Sequence, residues 1–124
     1  IFDNTQPDCG PCKSMADTSE AFVEKMADQG IEVMMVSLMG NGLSEPWVEP
    51  SLATVESWVK AYDLEGPVLA DRGFGYGLMP PYFNNDYGFP AWMVVAPDMT
   101  IIEGGIGFGS WDTIEGIISQ HVGN

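Results

Sequence analysis

The sequence predicts an α/β protein with a mixed central β-sheet flanked by α-helices. Three observations carry that expectation. Short apolar runs alternate with helical spacing through residue 71, as in parallel strands joined by right-handed crossovers. Two strand-like runs, 91–96 and 101–108, are separated only by the turn-forming "PDMT", as in an antiparallel hairpin. The residues after Ser110 return to helical spacing and supply a covering helix. A chain of 124 residues that is 45% apolar suits one compact domain, 1–124, with a sizeable core. It shows no internal repeat, low-complexity tract or composition break that would mark a second domain.

Taken in order, Ile1–Asp3 reads as the tail of a strand and Asn4–Asp8 as a loop. A helix is expected from the cysteines onward, because Met15, Ala16, Phe22, Val23, Met26 and Ala27 fall near one face. Gly30 supplies a stop suited to a left-handed backbone. The run 31–39, "IEVMMVSLM", is too short for a long helix and fits a strand buried on both faces. Residues 40–50 are loop by composition. Ser51 can cap a helix with an apolar stripe of Leu52, Val55, Val59 and Tyr62. "PVLAD", 67–71, is a short strand. The stretch 72–88 is rich in Gly, Pro, Tyr and Asn and is expected to be irregular. Ser110 is expected to cap the last helix, which carries Trp111, Ile114, Ile117 and Ile118.

Charge narrows the partners. Eighteen acidic side chains against four basic ones give a formal net charge of −14. Nucleic acid and anionic membrane surfaces need Lys and Arg, so neither is an expected partner. The acidity suits a well-solvated surface, with a basic partner or a salt-rich habitat as sharper alternatives. No apolar run is long enough to span a bilayer. The chain starts at Ile1 rather than Met, which is compatible with a processed product or an upstream lipid anchor.

The only two cysteines are Cys9 and Cys12, in "CGPCK". A zinc site needs about four ligands; this chain offers two thiols and one distant histidine, His121. A fixed disulfide across two residues closes too small a loop to gain much from chain entropy. A reversible dithiol fits best. Cys9 would stand at the first turn of a helix, where unpaired N–H groups and the dipole favour a thiolate. Pro11 is tolerated there. Cys12, one turn further in, would resolve the mixed disulfide that Cys9 forms. This reading requires Cys9 to meet solvent.

With these residues, the sequence resembles the thioredoxin superfamily. "CGPCK", residues 9–13, is similar to that family's active-site motif. "GFPAWMVVAPDMTII", residues 88–102, resembles its cis-proline segment and the hairpin beyond. The stretch "VEPSLATVESWVKAYDLEGPVLAD", 48–71, resembles the inserted helix and following strand of the extracytoplasmic redoxin, or TlpA-like, branch. The resemblance implies a thioredoxin-like fold with an inserted helix and an extended loop before the cis-proline. It implies a thiol–disulfide oxidoreductase, reductant rather than oxidant, with Cys9 and Cys12 as its redox-active disulfide and no cofactor or metal. Gly10, Pro11, Phe89 and Pro90 would contact substrate, Pro90 as the cis-proline and Phe89 as the residue whose backbone pairs with it. Partners would be disulfide-containing or dithiol proteins, met outside the cytoplasm by a monomer. Strands upstream of Ile1 would complete the sheet.

Several residues depart from that pattern. Asp8 stands where the family usually has Trp, and its carboxylate opposes a thiolate on Cys9. With Lys13 as the only nearby cation in sequence, the Cys9 pKa is expected at about 7 or above, far from the roughly 3.5 of a strong oxidase. Asp3 lies six residues before Cys9, the spacing at which the family places a buried aspartate that deprotonates the second cysteine. Glu45 and Glu49 are alternatives for that role. Tyr76, Tyr82, Phe83 and Tyr87 form either a loop packed on the core or an aromatic rim that recognises substrate. The methionines, notably Met34, Met35 and Met93, are expected to fill the core. Two rival functions remain. A thiol peroxidase would want Thr or Ser three residues before its cysteine, whereas Thr5 lies four before Cys9. A Sco-like copper-binding module would pair a CxxxC with a histidine near the substrate loop, whereas this chain has CxxC and places His121 in its last helix.

Overall fold

The computed structural model describes residues 1–84 and 87–123. At the centre of its sheet lies β1 (Phe2–Thr5), so Asn4 and Thr5 belong to a strand rather than to the expected loop. Their polarity hid them: "DNTQ" carries no strand-like apolar pattern, yet all four side chains are buried. The neighbour is β2 (Val36–Met39), parallel to β1 with Phe2 opposite Val36 and Thr5 opposite Met39. Beyond it, β3 (Val68–Ala70) is also parallel. On the other side of β1, β4 (Ala91–Val95) runs antiparallel and pairs with β5 (Ile101–Ile106) through the expected hairpin. The strand order is β3-β2-β1-β4-β5, which is the mixed sheet the alternation implied.

Among the described residues, four helices flank the sheet. α1 (Gly10–Asp28) ends as expected: Gly30 adopts φ +80°, and the Ile31 N–H reaches the Met26 carbonyl at 2.9 Å, closing the last turn. The strand predicted over 31–39 is shorter than expected. β2's ladder partners begin only at Phe2, while the N-terminal amine donates to the Met34 carbonyl. Met34 is consequently 63% exposed and does not fill the core, unlike Met35 and Met93. α2 (Leu52–Tyr62) is capped by Ser51, whose hydroxyl accepts the Thr54 N–H. Its buried stripe is Val55 and Trp58; Leu52 is exposed.

The stretch 72–88 contains a helix, α3 (Phe74–Tyr82), where irregular chain was expected. Pro80 and Pro81 lie in its last turn, so they break little of a two-turn element. Its start is held by the Asp71 carboxylate, which accepts the N–H groups of Gly73 and Gly75. Asn85 and Asp86, in the same stretch, lie outside the described residues. The last helix is α4 (Asp112–Gly123), and Ser110 accepts the Asp112 N–H at 3.4 Å.

α1 and α4 cover one face, burying Met15, Phe22, Met26, Ile114 and Ile118 against Trp92 and Val94. α2 packs beside the start of α1, where Val55 and Trp58 meet Cys9, Cys12, Ala16 and Met39. α3 covers the opposite face with Met79 against Ala91 and Met93. No helix among the described residues is long and apolar enough to cross a membrane.

Candidate active site

Cys9 is the N-cap of α1, with φ −102° and ψ 116°, and its Sγ accepts the Cys12 N–H at 3.2 Å. One of the helix's unpaired N–H groups therefore points at sulfur. Lys13 N–H closes the first helical bond on the Cys9 carbonyl at 3.1 Å. Pro11 falls in the first turn, where no N–H is needed. Cys9 and Cys12 are joined as a disulfide with Cα atoms 5.2 Å apart, an ordinary spacing for one. Gly10 and Pro11 are exposed beside it.

The sulfurs themselves are covered. Cys12 is 1% exposed, as expected of the inner thiol, but Cys9 is only 3% exposed, against the expectation that it meets solvent. The cause is the packing around it: Met39 beneath, Val55 and Trp58 from α2, and half-buried Phe89. Phe89 precedes Pro90 through a cis peptide bond.

Behind the dithiol, β1 carries a row of buried polar groups. Asp3 is fully buried and accepts the Ser37 hydroxyl at 2.7 Å. Burial pushes its carboxyl up to about 6; the Ser37 hydrogen bond and the N-terminal amine hold it from rising further. Asp3 faces a small cavity shared with Met15, Ala16 and Ser19, about one helical turn beyond Cys12. Thr5 is registered with Met39, so its side chain points to the same face as the cysteines. On the opposite face, Asn4 donates to the Tyr87 hydroxyl at 2.7 Å, and burial pushes the Tyr87 phenol well above its ordinary range.

Loop 40–50 closes this end of the molecule as a strap between β2 and α2. Gln6, 1% exposed, holds it at two points: its Oε1 accepts the Gly42 N–H at 2.8 Å, and its Nε2 donates to the Pro46 carbonyl at 3.2 Å. Asp8 adds a third, accepting the Leu43 N–H at 2.9 Å. Its carboxylate thus serves the strap as well as standing next to Cys9 in sequence. Gly40 leaves no room for a Cβ, which would meet the Pro46 carbonyl and the Gln6 amide. The strap sets Trp47 against three rings, with centroids 5.1 Å from Tyr76, 5.4 Å from Tyr87 and 5.7 Å from Phe89. Tyr76 and Tyr87 therefore belong to an aromatic cluster joined through Phe89 to the dithiol. Tyr82 and Phe83 pack edge to face with each other, and Phe83, at the C-cap of α3, packs half-buried against the core cluster of Met79, Ala91 and Met93.

Glu45 and Glu49 sit exposed on the strap, one accepting from Asn41 at 2.7 Å, the other paired with Arg72 at 2.9 Å. His121 lines a surface groove with Met34, Val95 and Met99, away from the cysteines. Gln6 and Trp47 escaped the sequence reading. A Trp inside a Gly- and Pro-rich loop was the available signal; a lone Gln offered none.

No protein-family model and no curated protein matches the chain. Solved structures do. A protein assigned as the thiol:disulfide interchange protein DsbE from Chlorobium tepidum superposes with a TM-score of 0.69 at 16% identity, over 96% of this chain and 76% of that one. A secreted Mycobacterium tuberculosis disulfide oxidoreductase, described as homologous to Escherichia coli DsbE, gives 0.62 at 17% identity, over 96% and 78%. The exposed lipoprotein thioredoxin Etrx1 of Streptococcus pneumoniae strain TIGR4 gives 0.67 at 18% identity, over 96% and 82%. The sheet order, the dithiol at the head of α1 and these superpositions establish that the chain has the thioredoxin fold.

Proposed function

We propose that the protein is a thiol–disulfide oxidoreductase that exchanges disulfides through Cys9 and Cys12 and acts as a reductant on polypeptides outside the cytoplasm. One observation carries this reading: the chain's only cysteines are bonded to each other at the N-terminus of α1, with Cys9 as the cap. The Cys12 N–H and the helix dipole favour a thiolate on Cys9. The secreted and lipoprotein character of two structural neighbours supports the compartment.

In the reduced protein, the Cys9 thiolate attacks one sulfur of a substrate disulfide. That S–S bond breaks, a bond from Cys9 to substrate forms, and the departing substrate thiolate takes a proton. Cys12 then gives up its proton and attacks Cys9 Sγ. The mixed disulfide breaks, the Cys9–Cys12 bond forms, and the second substrate thiol leaves. Two electrons and two protons pass from the dithiol to the substrate. Asp3 is the group assigned to take the Cys12 proton. A carboxyl pushed up to about 6 is the better acceptor near neutrality, and it is buried on the dithiol's side of the sheet. Glu45 and Glu49 are exposed and already engaged. Phe89 packs against the buried cluster that holds the cysteines and, with Pro90, would offer the backbone against which substrate lies; Gly10 and Pro11 are exposed beside the disulfide.

Because Cys9 is covered, the reading requires Phe89 to yield when a partner arrives. The test is turnover of insulin disulfides, together with equilibration against glutathione. A reduction potential near −270 mV supports a reductant, and one near −120 mV an oxidant. Cys12→Ser should accumulate a mixed disulfide on Cys9. No exchange in either direction would overturn the assignment.

A further inference from the structure

The strap and α3 both carry exposed apolar side chains, and an aromatic contact joins the two elements. Leu43 and Val48, each about half exposed, lie on the strap, and Phe74 and Tyr76, 61% and 58% exposed, lie on α3. Half-buried Trp47 joins the two elements through Tyr76 and reaches Phe89, which packs against the buried cluster that holds the disulfide. The strap is fastened by side chains at Gln6 and Asp8, immediately upstream of Cys9. An apolar surface is thus built on the same few residues that position the reactive sulfur. Its border carries exposed carboxylates, Asp8 and Glu45, and Arg72 is already paired with Glu49.

We propose that the strap and α3 form a docking surface for an extended, cationic polypeptide, with Trp47 and Tyr76 receiving an apolar or aromatic side chain next to the substrate's cysteine. This deepens the oxidoreductase reading and rests on it. Aromatic faces supply contact area at small entropic cost. The surrounding carboxylates, within a net charge of −14, attract Lys and Arg and disfavour acidic chains. An apolar side chain seated against Trp47 also lies next to Phe89, the residue that must move to open Cys9, so docking and access are coupled.

The experiment measures kcat/KM of the reduced protein on three cystine peptides and on hydroxyethyl disulfide. The peptides carry Phe and Lys beside the cysteine, Ala in place of that Phe, or Glu in place of that Lys. The Phe–Lys peptide should lead, and added salt should erode its advantage over the Glu peptide. Trp47→Ala and Tyr76→Ala should each lower the ratio of Phe–Lys peptide to hydroxyethyl disulfide by about tenfold, with the Cys9–Cys12 potential unchanged. Tyr76 is largely exposed, so its variant keeps the test open if Trp47→Ala fails to fold. A flat peptide series, or an unaltered ratio in the variant that folds, overturns the docking surface alone. Failure of the unsubstituted protein on every disulfide, hydroxyethyl disulfide included, overturns the oxidoreductase reading itself.

Discussion

The two ends of α1 are built on opposite principles. The C-terminal half presses Phe22 and Met26 into an apolar core, with the Phe22 ring stacked on Trp111 at 4.4 Å and 11° between planes. The N-terminal half meets the face of β1 that carries Asp3 and Thr5, two buried polar side chains. Among the described residues, the Thr5 Oγ1 on this face is buried without a hydrogen-bond partner. One helix thus joins a region optimised for packing to one that carries uncompensated polar cost. Such cost gathers where a protein does chemistry.

The largest break in that contrast comes from the packed end. Phe22→Ala removes a ring that is 3% exposed and should cost about 3–5 kcal/mol, read by urea unfolding. The Cys9–Cys12 potential, measured where the variant is still folded, should stay put, because Phe22 lies outside the cysteines' cluster. A shifted potential would show that the two ends are one unit.

Asp3→Asn acts at the polar end and should have the opposite sign. The Asp3 pKa rises from 3.8 to about 6 mainly because burial opposes its charge. An acid with a raised folded-state pKa contributes stability that is complete below its unfolded value and lost as pH climbs through its folded value. The penalty therefore appears between about pH 4 and pH 6 and persists above. It amounts to at most about 3 kcal/mol, from which the cost of burying the new amide hydrogens subtracts. Asp3→Asn should stabilise the protein at pH 7.5 and flatten its stability between pH 4 and 6. It should also slow release of the mixed disulfide several-fold if Asp3 takes the Cys12 proton. A stabilised variant with an unchanged release rate would leave Asp3 a burden without that role.

This contrast also marks what the sequence could reveal. The apolar end was legible because Met15, Phe22 and Met26 repeat at helical spacing, and the hairpin because "PDMT" interrupts two strand-like runs. The dithiol was legible because Cys-Gly-Pro-Cys is itself a cap-and-first-turn pattern. The polar end was not. Burial of Asp3, Asn4, Thr5 and Gln6 is imposed by neighbours distant in sequence: Ser37 for Asp3, Tyr87 for Asn4, the strap for Gln6. α3 was lost to its Gly and Pro content, since its start depends on the Asp71 side chain, two residues before the Gly73 cap. The cover over Cys9 was invisible because Val55, Trp58 and Phe89 converge there only in three dimensions.

The smallest effect is the most direct probe of the polar end. Thr5 lies in β1, and its carbonyl accepts the Gly40 N–H at 3.1 Å, whereas its buried hydroxyl has no partner among the described residues. A buried hydroxyl that forfeits water without gaining a partner costs about 1–3 kcal/mol. Val has nearly the same shape, carries no hydroxyl and favours strands. Thr5→Val should therefore stabilise the fold by about 1 kcal/mol, seen as a rise of a few degrees in Tm. The same exchange at Thr18, whose hydroxyl accepts from the Trp111 indole at 2.8 Å and donates to the Ser14 carbonyl at 3.0 Å, removes a satisfied group and should destabilise. Opposite signs at the two threonines would locate the cost in the unpartnered hydroxyl rather than in threonine as such. A loss at both would mean that Thr5 finds a partner in solution, and the dithiol end would then be as fully satisfied as the core.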